Sequence, residues 1–398
     1  MSARWRVVAA LFVLSFTVSN AIASFGVFLP ALADAFGWSR GAISLAFSLN
    51  LLLGGFSGFA AGAIADRHGP RLVLVTTIGI AAAGLALAST IEQPWHLYLF
   101  VGVMGGIGSS GFYVVGAATV TRWFDRGRGL ALGIVLAAFN VSYVTGGPAS
   151  AWLVEHVGWR MAYLVIAGLL GLVGGGMALL VRDPPSSAAV ASARSVVPAH
   201  RPPAGGRGMT VGAAMEDRRF WALTAAWVLS GAVSLMVSVH VVSYARDQGI
   251  ELATASLALS TFGLGSAAGR LAFGPLSDRL GGRPIIRLCI ALQILALAAL
   301  PLRPPQEMLL ILVGLFGLGF TGADSVFVRV IPDVFGLRAV GAIMGMLSLG
   351  WRLGAAIGPA AAGFVHDATG SYALPFGAAP VVIAISYACF ALGSRSRR

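Results

Sequence analysis

Three ionisable side chains sit deep inside long apolar runs of this 398-residue chain: Arg270 within 254–277, Asp324 within 308–331 and Arg352 within 339–363. A charge at the middle of a membrane-spanning segment costs about 2.5–3.5 kcal/mol even on a lenient insertion scale. Such a residue is kept where it has a partner, faces water or does work. At a rise of about 1.5 Å per residue, Arg270 lies roughly 12 Å from Asp278, Asp324 roughly 14 Å from Asp333, and Arg352 roughly 21 Å from Arg338. All three therefore belong near the midplane or in the inner half of a bilayer. The planar fork of an arginine donates two parallel hydrogen bonds to a carboxylate and cannot lose its proton. Two arginines and one aspartate leave a single net positive charge, whose field attracts an anion and repels cations. The competing reading is an Arg–Asp pair that only ties helices together; even then one arginine is left over.

The elements that must carry these charges are transmembrane helices. Hydrophobic residues make up 57% of the chain, charged residues 11%, and mean hydropathy is +0.85, whereas a soluble domain carries about 25% charged residues. A bilayer core of about 30 Å needs roughly 20 apolar residues per helical crossing. Twelve such runs are predicted: 7–30, 41–65, 70–91, 95–121, 130–152, 158–181, 219–245, 254–277, 284–302, 308–331, 339–363 and 371–392. They are continuous rather than alternating, which excludes a transmembrane barrel. Glycine is abundant, with 53 residues, as suits helices that pack closely in lipid.

The net charge of +12 reports topology rather than a nucleic-acid partner. All 27 cations are arginines, and only Arg40, Arg160, Arg246 and Arg303 fall on connections after odd-numbered spans. By the positive-inside rule, both termini and the stretch 182–218 are cytoplasmic. Cys289 and Cys389 lie inside spans and imply no disulfide or metal framework. The start of the chain imitates a secretory signal, but its apolar character runs on through Leu32, so it reads as the first span.

Residues 182–218, rich in Pro, Ser, Ala and Arg, read as a flexible linker between an N-terminal six-helix bundle, 1–181, and a C-terminal one, 219–398. The halves are a repeat. Gly62-Ala-Ile-Ala-Asp66-Arg67-His-Gly69-Pro-Arg71 matches Gly274-Pro-Leu-Ser-Asp278-Arg279-Leu-Gly281-Gly-Arg283 at five positions, an offset of 212 residues (Gly62 to Gly274). The same offset carries Arg126 to Arg338, Gly129 to Gly341 and Gly133 to Gly345.

This doubled G-x-x-x-D-R-x-G-x-R loop resembles the signature of the major facilitator superfamily. The resemblance covers essentially the whole chain and implies an all-α membrane fold of two six-helix bundles around a central cavity, rocking to open it to each side in turn. It also implies that Asp66, Arg67, Arg71, Asp278, Arg279 and Arg283 latch one conformation; otherwise they anchor the loops at the interface. Phe25-Gly-Val-Phe-Leu-Pro30, Phe36-Gly-Trp-Ser-Arg40 and Arg122-Trp-Phe-Asp-Arg-Gly-Arg-Gly-Leu-Ala131 are similar to bacterial relatives of the monocarboxylate transporters and oxalate:formate antiporters.

Within that family a span 8 arginine followed four residues later by glycine binds the substrate carboxylate, and Arg270-Leu-Ala-Phe-Gly274 matches it. Arg352 could take the place of the antiporter's span 11 cation, there a lysine. The acidic residue that mammalian relatives carry one turn before the arginine, part of their proton coupling, is Ser266 here. Asp324 is either a proton carrier or the structural partner of an arginine. At the repeat offset Arg270 corresponds to Gly58, Asp324 to Phe112 and Arg352 to Asn140, so charge is confined to the C-terminal half. Neutral partners are expected from the other half: Asn20, Ser24, Asn50, Tyr113, Asn140 and Tyr143, with Tyr113 favoured because the family often places a tyrosine in span 4. Interhelical hydrogen bonding is the alternative role for each.

The expectation is a secondary transporter of small mono- or dicarboxylates in a bacterial inner membrane, proton-coupled or exchanging anions. It needs a lipid bilayer and a carboxylate substrate, with protons as a further partner where transport is coupled, but no cofactor and no nucleic acid; a monomer suffices. The alternative is a proton-coupled efflux antiporter for hydrophobic compounds, which should want acidic residues in the N-terminal half of the cavity. An enzyme would need a nucleophile–base pair or metal ligands; H-E-x-x-H is absent, and no Walker or G-x-G-x-x-G phosphate loop stands in strand–helix context.

Overall fold

The computed structural model describes residues 3–124, 127–183, 208–336 and 338–394, apart from the side chains of Arg128, Asp278 and Arg329. Among the described residues, eleven helical runs are long and apolar enough to cross a membrane. One of them, Leu130–Leu180, has 51 residues. As one rod it would be roughly 77 Å long, more than twice the thickness of a bilayer core. Gly158 breaks it, with φ 77° and ψ 159°, so it serves as two spans, twelve in all among the described residues. We label them α1 (Ala3–Phe36), α2 (Arg40–His68), α3 (Pro70–Ala88), α4 (Pro94–Trp123), α5 (128–157), α6 (159–180), α7 (Arg218–Asp247), α8 (Leu252–Leu280), α9 (Gly282–Leu302), α10 (Gln306–Phe335), α11 (Val340–Thr369) and α12 (Ala373–Gly393). The helix α4 contains a π-helical stretch, Tyr98–Met104. Large apolar side chains such as Leu172, Leu295 and Val381 stand on the exterior, as they do where lipid is the solvent.

The backbone divides into two compact units, 1–199 and 200–398. Inside the first, α1 packs on α5 and α6, α2 on α4, and α3 on α4 and α6. Inside the second, α7 packs on α11 and α12, α8 on α10, and α9 on α10 and α12. The pairing is the same, one set of six after the other. The turns repeat too. Gly69 and Gly281 both have φ 85°, with ψ 158° and 153°, a region open essentially to glycine alone. Gly37 and Gly249, and Gly158 and Gly370, are further pairs of positive φ at the same offset.

In the second unit two seams are unusually tight. A Cβ on Gly354 or Gly358 of α11 would stand 1.8 or 2.0 Å from the carbonyl oxygens of Val228 and Ala232 on α7. Along the other seam, a Cβ on Gly265 or Gly269 of α8 would stand 2.0 or 2.2 Å from those of Gly314 and Leu318 on α10. Without side chains at these glycines the backbones meet directly, which is how helices associate where no hydrophobic force acts between them.

Part of the stretch read as a flexible linker is structured. Val211–Glu216 is a short helix whose first turn is capped by the Thr210 hydroxyl. Ahead of it, the Met209 N–H donates to the Phe335 carbonyl at 2.8 Å. Residues 184–207 lie outside the described part.

Candidate functional site

The α8–α10 seam positions the charges. Residues along it meet in rising order, Gly265 with Gly314, Gly269 with Leu318 and Phe273 with Gly322, so the two helices run parallel. The Thr321 hydroxyl ties them further by donating to the Ser266 carbonyl at 2.6 Å. Arg270 follows Gly269 directly, and Asp324 lies one turn beyond Thr321. The Arg270 Nη2 therefore comes 3.7 Å from Asp324 Oδ2, with 47% and 33% of the two side chains exposed. That distance marks an ion pair but not a hydrogen bond. Most of the guanidinium's five N–H donors are thus available to another acceptor. The Trp227 side chain is a further hydrogen-bonding partner of Asp324. The Trp227 ring is itself locked against Phe327, with centroids 4.8 Å apart and planes at 9°. Arg352 is half-buried on α11, beside Trp351, whose carbonyl packs against Gly231 of α7.

The neutral residues of the first unit divide into two groups. Ser24 is 1% exposed; it donates to the Asn20 carbonyl at 2.7 Å and accepts from the Ser150 hydroxyl at 2.6 Å, joining α1 to α5. Asn50 is buried and donates to the Val101 carbonyl at 2.8 Å, joining α2 to α4. Tyr143 is buried with its ring 5.1 Å from Phe139. Asn20, half-buried, donates to the Thr145 hydroxyl at 3.0 Å. Asn140 is half-buried and Tyr113 is 51% exposed. Ser24 and Asn50 thus hold helices together, whereas Tyr113, Asn140 and Asn20 present polar atoms at the surface of the unit.

At the α2–α3 turn Asp66 pairs with Arg122 at the end of α4, and Arg122 also reaches Asp183 at 3.2 Å. The Trp123 indole donates to the Arg182 carbonyl at 2.8 Å. This ties the ends of α2, α4 and α6 within one unit. The sequence placed Asp66 in the loop motif but gave Arg122 no partner; its signal is the arginine-rich run that starts with it. Arg67, Arg71, Arg279 and Arg283 are exposed, and the Asp278 side chain lies outside the described part. His240 on α7 is fully buried, with Nδ1 2.8 Å from the Tyr372 hydroxyl and Nε2 2.8 Å from the Pro359 carbonyl. A carbonyl only accepts, so Nε2 carries the proton there. This histidine stitches α7 to α11 and to the start of α12.

With the helices and charges placed, comparison gives the class. The profile of the Major Facilitator Superfamily matches residues 11–252 and 235–397, and the chain belongs to that family. It is a multi-pass membrane transporter and not an enzyme. Among named relatives, Monocarboxylate transporter 13 of Bos taurus is 29% identical over 376 residues, covering 94% of this chain and 85% of that protein. Monocarboxylate transporter 11 of Mus musculus is 28% identical over 388 residues, covering 94% and 83%. The fold is similar to a bacterial homologue of the human lysosomal transporter Spinster, with a TM-score of 0.79 at 17% identity over 100% of this chain and 98% of that one. It is also similar to the nucleoside transporter NupG, with a TM-score of 0.79 at 13% identity over 97% and 99%.

Proposed function

We propose that this protein carries small organic anions, mono- or dicarboxylates, across a bacterial inner membrane by alternating access. The observation behind this reading is Arg270: a half-exposed guanidinium at mid-membrane depth, loosely paired at 3.7 Å, with its donor fork open to a second carboxylate. Two named relatives are monocarboxylate transporters, which supports the same substrate class. The charge balance supports it independently, since Arg270 and Arg352 outnumber Asp324. An incoming carboxylate meets a donor fork already aimed by the α8–α10 seam, and the ion pair with Asp324 keeps that charge from being buried alone. In this reading Tyr113, Asn140 and Asn20 add neutral hydrogen bonds from the first unit. Transport is proton-coupled or exchanges one anion for another, with Asp324 either a proton carrier or the structural partner of an arginine. Both termini are cytoplasmic, following the arginine distribution.

The test is uptake of radiolabelled lactate and oxalate into proteoliposomes. Arg270→Ala is expected to abolish uptake with the purified protein still monodisperse and helical. Near-normal uptake in that variant would overturn the assignment.

A further inference from the structure

In the second unit, α9 and α12 carry an arginine and a tyrosine that the carboxylate reading leaves unused. The Arg287 Nε donates to the Tyr387 hydroxyl at 3.3 Å, across the groove between the two helices. Arg287 is exposed and Tyr387 half-buried. The helices run antiparallel here: Arg287 near the start of α9 meets Tyr387 near the end of α12, while Pro301 at the far end of α9 stands 3.8 Å from a Cβ placed on Gly377. Between these two contacts the groove is lined by small exposed residues, Ala291 and Ala298 on α9 and Ala384 on α12. The exposed side chains of Leu295 and Val381 flank it. At a rise of about 1.5 Å per residue, Arg287 lies about 7.5 Å beyond Gly282, where α9 begins. That is about the thickness of one headgroup layer, so the guanidinium belongs where headgroups meet acyl chains.

Two features mark the pair as more than a topological anchor. Neither helix contains an acidic residue, and the charges of α9 are Arg283 and Arg287, one turn apart and both exposed. The repeat supplies an internal comparison as well. At the offset of 212, Arg283 corresponds to Arg71, but Arg287 corresponds to Val75 and Tyr387 to Gly175. The first unit thus meets the positive-inside bias at this place with the boundary arginine alone. The second unit sets another cation deeper, where a charge is costly until an anion joins it. The donors suit such an anion. With Nε committed to the tyrosine oxygen, both Nη groups of Arg287 remain to donate, and the Tyr387 hydroxyl, having accepted, keeps its own hydrogen to give.

We propose that the Arg287–Tyr387 pair is a headgroup site for an anionic phospholipid of the cytoplasmic leaflet. The phosphate takes the guanidinium fork, whose planar geometry it matches, together with the tyrosine hydroxyl, and an acyl chain lies along the groove over Ala291, Ala298 and Ala384. Basic pockets between helices on the cytoplasmic side hold acidic headgroups by the same chemistry. A zwitterionic lipid would bring its own ammonium beside Arg283 and Arg287, and a free phosphate would leave the apolar groove unfilled. Once bound, the lipid bridges α9 and α12 from outside and stabilises the folded unit by mass action. Binding there is independent of which substrate the protein carries.

The test uses the full-length protein purified in detergent. Thermal unfolding is followed as dioleoyl-phosphatidylglycerol, dioleoyl-phosphatidylcholine or inorganic phosphate is added, and bound lipid is read on the same samples by native mass spectrometry. Phosphatidylglycerol is expected to raise the midpoint well above phosphatidylcholine, which has the same chains, and inorganic phosphate is expected to have no effect. In Arg287→Ala the phosphatidylglycerol affinity should fall about tenfold or more. Tyr387→Phe, which keeps the ring, should lower it several-fold, and Arg287→Lys should recover only part of it, because an ammonium keeps the charge without the fork. Arg218→Ala removes another exposed arginine and should leave the affinity unchanged. Where Arg287→Ala does not fold, Arg287→Lys and Tyr387→Phe carry the same test. Equal responses to the two lipids, an affinity unchanged in the folded Arg287 and Tyr387 variants, or a loss in Arg218→Ala as large as that in Arg287→Ala would overturn the site. Stabilisation by inorganic phosphate that depends on Arg287 would overturn the lipid as its occupant.

Discussion

The two units share a backbone plan and differ in what they do with it. At the α1–α5 crossing the Ser142 hydroxyl donates to the Phe16 carbonyl at 3.0 Å. The same two positions at the α7–α11 crossing are Gly354 and Val228, where the backbones press together. One turn on, a Cβ on Gly146 would stand 3.3 Å from the Asn20 carbonyl, while a Cβ on its counterpart Gly358 would stand 2.0 Å from that of Ala232. At this crossing the first unit is held by a polar tie with some slack, the second by direct backbone contact. Charge is confined to the second unit: Gly58, Phe112 and Asn140 stand where it has Arg270, Asp324 and Arg352. A rigid seam keeps an arginine and an aspartate at a fixed separation, which a binding site needs, while neutral hydrogen-bonding groups tolerate looser support.

Changes at matched positions break or sharpen this contrast. The largest effect is expected from Gly358→Leu, which drives a side chain into the Ala232 carbonyl and should leave no monodisperse protein by size-exclusion chromatography. The matched change Gly146→Ala should yield folded protein with an unfolding midpoint within a few degrees of wild type, about 1 kcal/mol or less. Next is Arg270→Ala, which removes the carboxylate's charged partner at a cost of about 2–5 kcal/mol. Carboxylate affinity, measured by thermal shift or counterflow, should then fall by roughly 30-fold or more. Asn50→Ala deletes a buried tie between α2 and α4; about 0.6–1.7 kcal/mol should be lost, seen as a lower midpoint with substrate affinity kept. The smallest change is expected from Tyr113→Phe, which leaves stability within about 0.5 kcal/mol and weakens carboxylate binding several-fold.

Much of the fold was legible because membrane crossing imposes length and hydropathy. All twelve spans were readable as apolar runs, and the doubled loop motif announced the duplication that the glycine turns repeat. The join of α5 to α6 was less visible. The predicted spans leave 153–157 as a gap, whereas the helix continues through those residues and bends only at Gly158, since one glycine suffices to reverse the chain. The site was legible residue by residue but not in its pairing. That Arg270 and Asp324 are charges in the wrong place is a statement about composition; that they face each other depends on two glycine faces meeting in register. Ser24 and Asn50 show the converse, for polarity in a span does not say whether the group is spent on a neighbouring helix.

The seam between α8 and α10 also sets an order of events. These two helices bind each other across α9, so the partner of Arg270 is made 54 positions after it, at Asp324. At about 5–20 residues per second, the arginine waits roughly 3–10 s for its counter-charge during synthesis. Throughout that interval the glycine face of α8 is unmatched, and the inserted segment carries a cation at a depth that costs about 2.5–3.5 kcal/mol. The most exposed moment in the life of this protein therefore falls before the chain is finished, when a membrane quality-control protease would meet α8 without α10.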